Sequence, residues 1–134
     1  GYRDFDVVLT GDFRKNSTGH IYKINELKKE YGRIGLVQLY EYDLNFQSGI
    51  QQNIRNVLDG NKVQMLVYGE KIRTRQLIIT EPELLLTWQK YRPEIKAENV
   101  TVKNMETIES RYKALALERI EEYFGKRAED VSDA

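Results

Sequence analysis

The sequence predicts an α/β fold, a three-layer sandwich on a mostly parallel sheet of five strands with one antiparallel hairpin. Three observations carry that expectation. Val7-Val8-Leu9 is an uninterrupted apolar run, the pattern of a strand buried on both faces of a parallel sheet. Ile21, Ile24, Leu27 and Tyr31 follow at helical spacing, so a helix packs back on that strand. Ile34 to Tyr40 then reads as a second strand, after a connection long enough for a right-handed parallel crossover.

The remaining elements follow in order. Gly32 stands where a glycine would end the first helix in a left-handed conformation. Beyond the polar loop from Glu41 to Gly49, Ile50, Ile54, Val57 and Leu58 mark a second helix closed by Gly60. Lys62 to Tyr68 is a third strand, and Gln76 to Thr80 belongs to a fourth. The stretch between them is too short for a helical crossover, and Gly69-Glu70 suits the centre of a type II′ turn, which predicts the hairpin. Thr80-Glu81-Pro82-Glu83 has the form of a capping box, continued as a helix by Leu84, Leu85, Trp88 and Tyr91 up to Arg92-Pro93. Val100-Thr101-Val102 is a short fifth strand. The longest helix starts near Glu106, carries Ile108, Tyr112, Leu115, Ile120, Tyr123 and Phe124, and closes at Gly125. Residues 1–127 read as a single α/β domain and residues 128–134 as a polar tail without a core contribution.

Composition narrows the function classes. With 134 residues, 40% hydrophobic and 31% charged, the chain is globular rather than disordered or membrane-embedded. Lys plus Arg equals Asp plus Glu at 21 each, so no global charge points to nucleic acid or a bilayer surface. The absence of cysteine excludes a disulfide scaffold and a catalytic thiolate, and fits a reducing, cytoplasmic setting. One histidine without cysteine leaves no ordinary zinc site. No apolar run nears the roughly 18 residues needed to span a bilayer, so no transmembrane segment is expected. The chain begins Gly-Tyr-Arg without Met and enters a strand by Asp6, the look of a piece of a longer protein.

The polar loop behind the first strand is the leading candidate site, because ligands of open α/β sheets sit at strand carboxyl ends beside helix N-termini. Gly11, Asp12, Arg14, Lys15, Ser17, Thr18, Gly19 and His20 are its candidate substrate-binding residues. Arg14 and Lys15 offer positive charge, and Ser17 and Thr18 offer hydroxyls to a phosphate or sugar, although the same hydroxyls would serve as ordinary helix caps. The spacing matches neither the dinucleotide fingerprint nor the P-loop. His20 is the sole imidazole, so any histidine-dependent proton transfer falls to it. Asp12 together with Asp43 could hold magnesium, while each also reads as a turn former. Lys71, Arg73 and Arg75 share one strand face, where they could meet phosphates or keep an edge strand from pairing. Tyr40, Tyr42 and Phe46 could stack on a sugar or base. No catalytic residue is assigned.

Four stretches taken together carry a resemblance. Asp-Phe-Asp-Val-Val-Leu-Thr-Gly-Asp-Phe-Arg at 4–14, Gly-Leu-Val-Gln-Leu at 35–39, Val-Tyr-Gly-Glu-Lys-Ile-Arg-Thr-Arg-Gln-Leu-Ile-Ile-Thr-Glu-Pro at 67–82 and Glu-Tyr-Phe-Gly-Lys at 122–126 resemble the N-terminal region of bacterial glycosyltransferases that build cell-wall or surface glycans. The likeness extends over most of the chain and lies mainly in strand cores and turns. It implies two Rossmann-like domains facing a cleft, the first on the acceptor side and the second, absent here, binding the nucleotide sugar. The match covers Gly11, Asp12, Phe13 and Arg14, and Gly69 with Glu70, so Glu70 joins the candidate substrate-binding residues on that ground. The implied partners are a missing C-terminal donor-binding domain and a glycan or polymer acceptor, with a nucleotide sugar as donor and no separate cofactor. The implied location is the cytoplasm, with peripheral attachment at the inner membrane face open to the full-length protein.

Lys103-Asn104-Met105-Glu106 departs from the Asn- and Pro-rich continuation of that family. Without the donor half, this piece alone should not transfer sugar. The alternative is a small α/β anion- or partner-binding regulatory module without catalysis. A third option is a magnesium-dependent phosphotransfer domain using Asp12 and Asp43.

Overall fold

A computed structural model of the chain describes residues 1–41 and 49–132. Its elements are β1 (Arg3–Gly11), α1 (Ser17–Glu30), β2 (Ile34–Gln38), α2 (Gln52–Val57), β3 (Val63–Leu66), β4 (Lys71–Ile79), a 3-10 turn (Pro82–Leu86), β5 (Glu94–Val102), a second 3-10 turn (Met105–Thr107), α3 (Ser110–Phe124) and β6 (Glu129–Asp130). The described strands form a six-stranded sheet in the order β3-β2-β1-β4-β5-β6. Every neighbouring pair is parallel. This is a doubly wound order, in which the chain steps outward from β1 one way and from β4 the other.

β1 takes a central place because its apolar run serves two cores. Val7 and Leu9 share a cluster with Ile24 and Leu27 of α1 and Ile54 of α2, whereas Val8 shares one with Leu85 of the first 3-10 turn and Ile120 and Phe124 of α3. Val7, Val8 and Leu9 are 0%, 0% and 1% exposed, which only a strand covered on both faces allows. The helices therefore lie on both sides of the sheet.

The antiparallel hairpin expected at Gly69-Glu70 is not formed. β3 pairs with β2, while β4 pairs with β1 and β5, all in parallel. A turn does form there, but one residue earlier than expected: the Glu70 N–H donates to the Val67 carbonyl at 3.2 Å, which puts Tyr68 and Gly69 at its centre, with Gly69 at φ 95°. It opens a crossover, and residues 67–70 carry the chain past β2 and β1 to β4. The apolar Leu77-Ile78-Ile79 run of β4 suits a place covered on both faces beside β1, which a hairpin with β3 would not give it. Arg3 spans the junction, donating to Gln64 on β3 and to Glu70.

Other differences also have local causes. The helix expected through Tyr91 is a 3-10 turn over Pro82–Leu86, and its N-terminus has no side-chain cap bond. The Gln89 amide donates to the Leu84 and Thr87 carbonyls at 3.0 and 3.3 Å, occupying acceptors that a longer helix would use. Helix α1 ends with Tyr31 in an extended conformation rather than at a left-handed Gly32. α3 closes as expected at Gly125, which has φ 67° and donates its N–H to Glu121 at 2.8 Å. The polar tail adds a sixth strand to the expected five: Glu129 and Asp130 pair with Thr101 and Val102.

Candidate functional site

The carboxyl ends of β1 and β4 lie side by side where the winding reverses, since Thr10 is in register with Ile79. From there β1 leads to α1 over one face and β4 leads to the 3-10 turn over the other, the arrangement that places a binding crevice between them in open α/β sheets. Gly11 ends β1, and a Cβ there would come 2.9 Å from Glu81 Oε2 and 3.1 Å from His20 Nε2. The missing side chain lets those two groups close over the strand end.

Glu81 is the centre of the crevice. Its Oε2 accepts the Asp12 N–H at 2.8 Å, and its Oε1 lies 2.9 Å from His20 Nε2. The His20 ring is buried and rests on Phe13, with centroids 4.8 Å apart. Nε2 faces the carboxylate as a donor, and among the described residues the other ring nitrogen, Nδ1, has no hydrogen-bond partner. Thr10 Oγ1 is likewise buried without one.

A second network holds the loop that follows. Arg14 grips Asp12 through two parallel bonds, Nε to Oδ1 and Nη2 to Oδ2, each 2.8 Å. Gln38 at the end of β2 donates to Asp12 Oδ1 at 2.8 Å and accepts the Phe13 N–H at 2.8 Å. Burial pushes the Asp12 carboxyl up, but the bonds from Arg14 and Gln38 and the charge of Arg14 outweigh it and hold the group below its ordinary range. The Arg14 guanidinium is raised in turn, mainly by its bond to Asp12. It also lies over the Tyr40 ring at 5.0 Å.

Gly11, Asp12, Arg14 and His20 thus come together at the strand ends, and Lys15 stands beside them, paired with Glu41 at 3.0 Å. Ser17 instead turns to α2, its Oγ accepting from Asn53 at 2.9 Å. Neither Ser17 nor Thr18 caps α1, whose N-cap is Asn16 in the left-handed conformation. Thr18 and Gly19 are exposed on the first turn. Glu70 does not join the group: it precedes β4, at the opposite end of that strand from Ile79. Lys71, Arg73 and Arg75 lie on a strand paired on both sides, so protection of a sheet edge is not their role.

Tyr42, Asp43 and Phe46 lie outside the described residues. Among the described residues no group of three or more His, Asp or Glu side chains is placed to hold a metal ion. Both Asp12 oxygens are already engaged by Arg14 and Gln38.

Sequence reasoning missed Glu81, which it took for part of a capping box, and Gln38. It also missed Lys23, whose ammonium is held below the usual lysine range by burial and by the charge of Lys103. Lys103 follows β5 at the carboxyl end of the sheet, near enough for its charge to act on Lys23 of α1. A glutamate directly behind a strand end was the one available signal for Glu81. A larger groove of about 620 Å³ runs over the amino half of β1, β4 and β5. Its charges pair at the surface, Arg73 with Asp4 at 3.2 Å and Arg75 with Asp6 at 2.9 Å, so volume does not make it the site.

The chain matches no protein-family model, no curated protein and no solved structure. Among the described residues no helix is long and apolar enough to cross a membrane.

Proposed function

We propose that the chain is the acceptor-side domain of a cytoplasmic glycosyltransferase, moving a sugar from a nucleotide sugar to a cell-wall or surface glycan and inactive without a donor-binding partner domain. One observation carries the reading. The stretches 4–14 and 67–82, which hold most of the likeness to such enzymes, cover β1 with the start of the loop behind it and β4 with the residues on either side of it. Those strands flank the reversal point, where open α/β sheets bind their ligands. In this reading the His20–Glu81 pair orients an acceptor hydroxyl, and the Asp12–Arg14–Gln38 network keeps the loop in place. Lys23 and Lys103 supply positive charge for a donor phosphate.

The test expresses the chain with whatever its parent reading frame encodes beyond Ala134 and measures release of nucleoside diphosphate from nucleotide sugars in the presence of a glycan acceptor. The expected result is no release by the 134-residue chain and clear release by the longer product. Glu81→Gln should lower that release about tenfold or more while leaving the circular dichroism unchanged. A frame without a further domain, or a longer product that releases nothing, favours the non-catalytic binding module.

A further inference from the structure

Beside the crevice lies a smaller concavity, and we propose that it is a carbohydrate subsite seating one neutral pyranose ring of the acceptor, an inference that rests on the reading above. The pocket has a volume of about 310 Å³ and is walled by Tyr40, Trp88 and Tyr91, with Glu41, Thr87 and Lys90 between them. These aromatic residues are 50%, 52% and 63% exposed. So much aromatic surface around one concavity marks a binding surface rather than scattered exposure.

The rings are held before any ligand arrives. Trp88 packs its inner side on Tyr123, with centroids 5.1 Å apart, and Arg119 and Arg92 lie over the indole at 5.5 and 5.7 Å. Both arginines are anchored, Arg119 to the Leu85 carbonyl and Arg92 to the Gln89 carbonyl, each at 2.7 Å. The buried Gln89 amide bonds the N–H and the carbonyl of Tyr40, both at 2.9 Å, tying the end of β2 to the segment carrying Trp88. Tyr91 meets Tyr68 edge-to-face at 5.4 Å. Aromatic walls fixed in this way lose little freedom on binding.

The chemistry of the lining selects the ligand class. A pyranose presents a C–H face to an aromatic ring and hydroxyls around its edge. The Glu41 carboxylate accepts from such hydroxyls, the Lys90 ammonium donates to them, and the Thr87 hydroxyl does both. Of the residues lining the pocket, Glu41 and Lys90 are the charged ones and are of opposite sign, and the aromatic walls leave its centre to an uncharged ligand. A concave wall with a carboxylate at its rim is also unlike the basic, convex face that binds a bilayer. The volume lies at the lower end of small-ligand pockets, about 300–1,000 Å³, and suits a single ring.

Trp88 is the only tryptophan in the chain, so its fluorescence reports on this pocket alone. The 134-residue chain is titrated with chitotriose, maltotriose and methyl β-galactopyranoside, and in parallel with uridine diphosphate and with anionic phospholipid vesicles. The expected result is a saturable change in Trp88 emission with at least one sugar, in the millimolar range, and none with the diphosphate or the vesicles. Tyr91→Ala should weaken that binding about tenfold with unchanged circular dichroism, and Tyr40→Ala should do the same. No response to any sugar, or a response to the diphosphate or vesicles instead, overturns the proposal. The assay needs no turnover, so the two readings fail separately: transfer by the longer product without sugar binding here sinks only the subsite. Sugar binding here without any transfer supports the subsite and sinks only the transferase.

Discussion

The two ends of β1 carry the same kind of ion pair in opposite surroundings. At the carboxyl end, the Asp12 and Arg14 side chains are 3% and 10% exposed and are bound to each other, to Gln38 and to the backbone. At the amino end, the Asp4 and Arg73 side chains are 74% and 59% exposed and stand in solvent. A carboxylate and a guanidinium in contact therefore say little until their surroundings are known. Removing one partner from buried surroundings is costly because water reaches the other poorly, whereas at the surface water takes the place of the lost partner.

The comparison is open to direct attack. The largest expected effect is that of Asp12→Ala, which removes the buried carboxylate that binds Arg14 twice and Gln38 once and should lower the unfolding free energy by about 3–5 kcal/mol, read by urea denaturation. A loss no larger than that of a surface variant would erase the distinction. Gly11→Ala comes next, at about 1–3 kcal/mol, because the new methyl group would press on Glu81 and His20. The same substitution should weaken nucleotide-sugar turnover by any longer product in which the crevice is the site.

Acid sharpens the contrast. The Asp12 carboxyl is lowered in the folded state, so its contribution is fully present above its unfolded value of about 3.9 and fades as pH falls through the folded value. Urea midpoints measured from neutral pH downward should fall in that acid range, and Asp12→Asn should flatten the fall. The smallest effect belongs to Arg73→Ala, at about 0–1 kcal/mol and less in high salt. A loss above that range would show that the amino-end pairs are not merely solvated.

Much of the fold was legible. The apolar run of β1, the helical spacing of α1, the parallel step to β2 and the closing glycine of α3 are local signals, and each appears where its residues stand. Gly69 shows where such signals stop. A turn was expected on Gly69-Glu70 and one forms on Tyr68-Gly69 instead, and the strand behind it pairs with β1 and β5 and not with β3. The candidate loop was singled out because it lies at the carboxyl end of the strand that carries the uninterrupted Val7-Val8-Leu9 run. Glu81 was not, because its partners Asp12 and His20 stand 69 and 61 positions away.

By itself the sequence determined the alternation of strands and helices, the two-sided burial of Val7 to Leu9, and the loop that follows. These depend on periodicity and turn chemistry within a few neighbouring residues. Only the tertiary structure decided that all the described strands run parallel, that Glu81 rather than Glu70 closes the crevice, and that Tyr40 shares a pocket with Trp88. Those outcomes depend on which distant strands pair and in what register, which brings together residues that no local pattern connects.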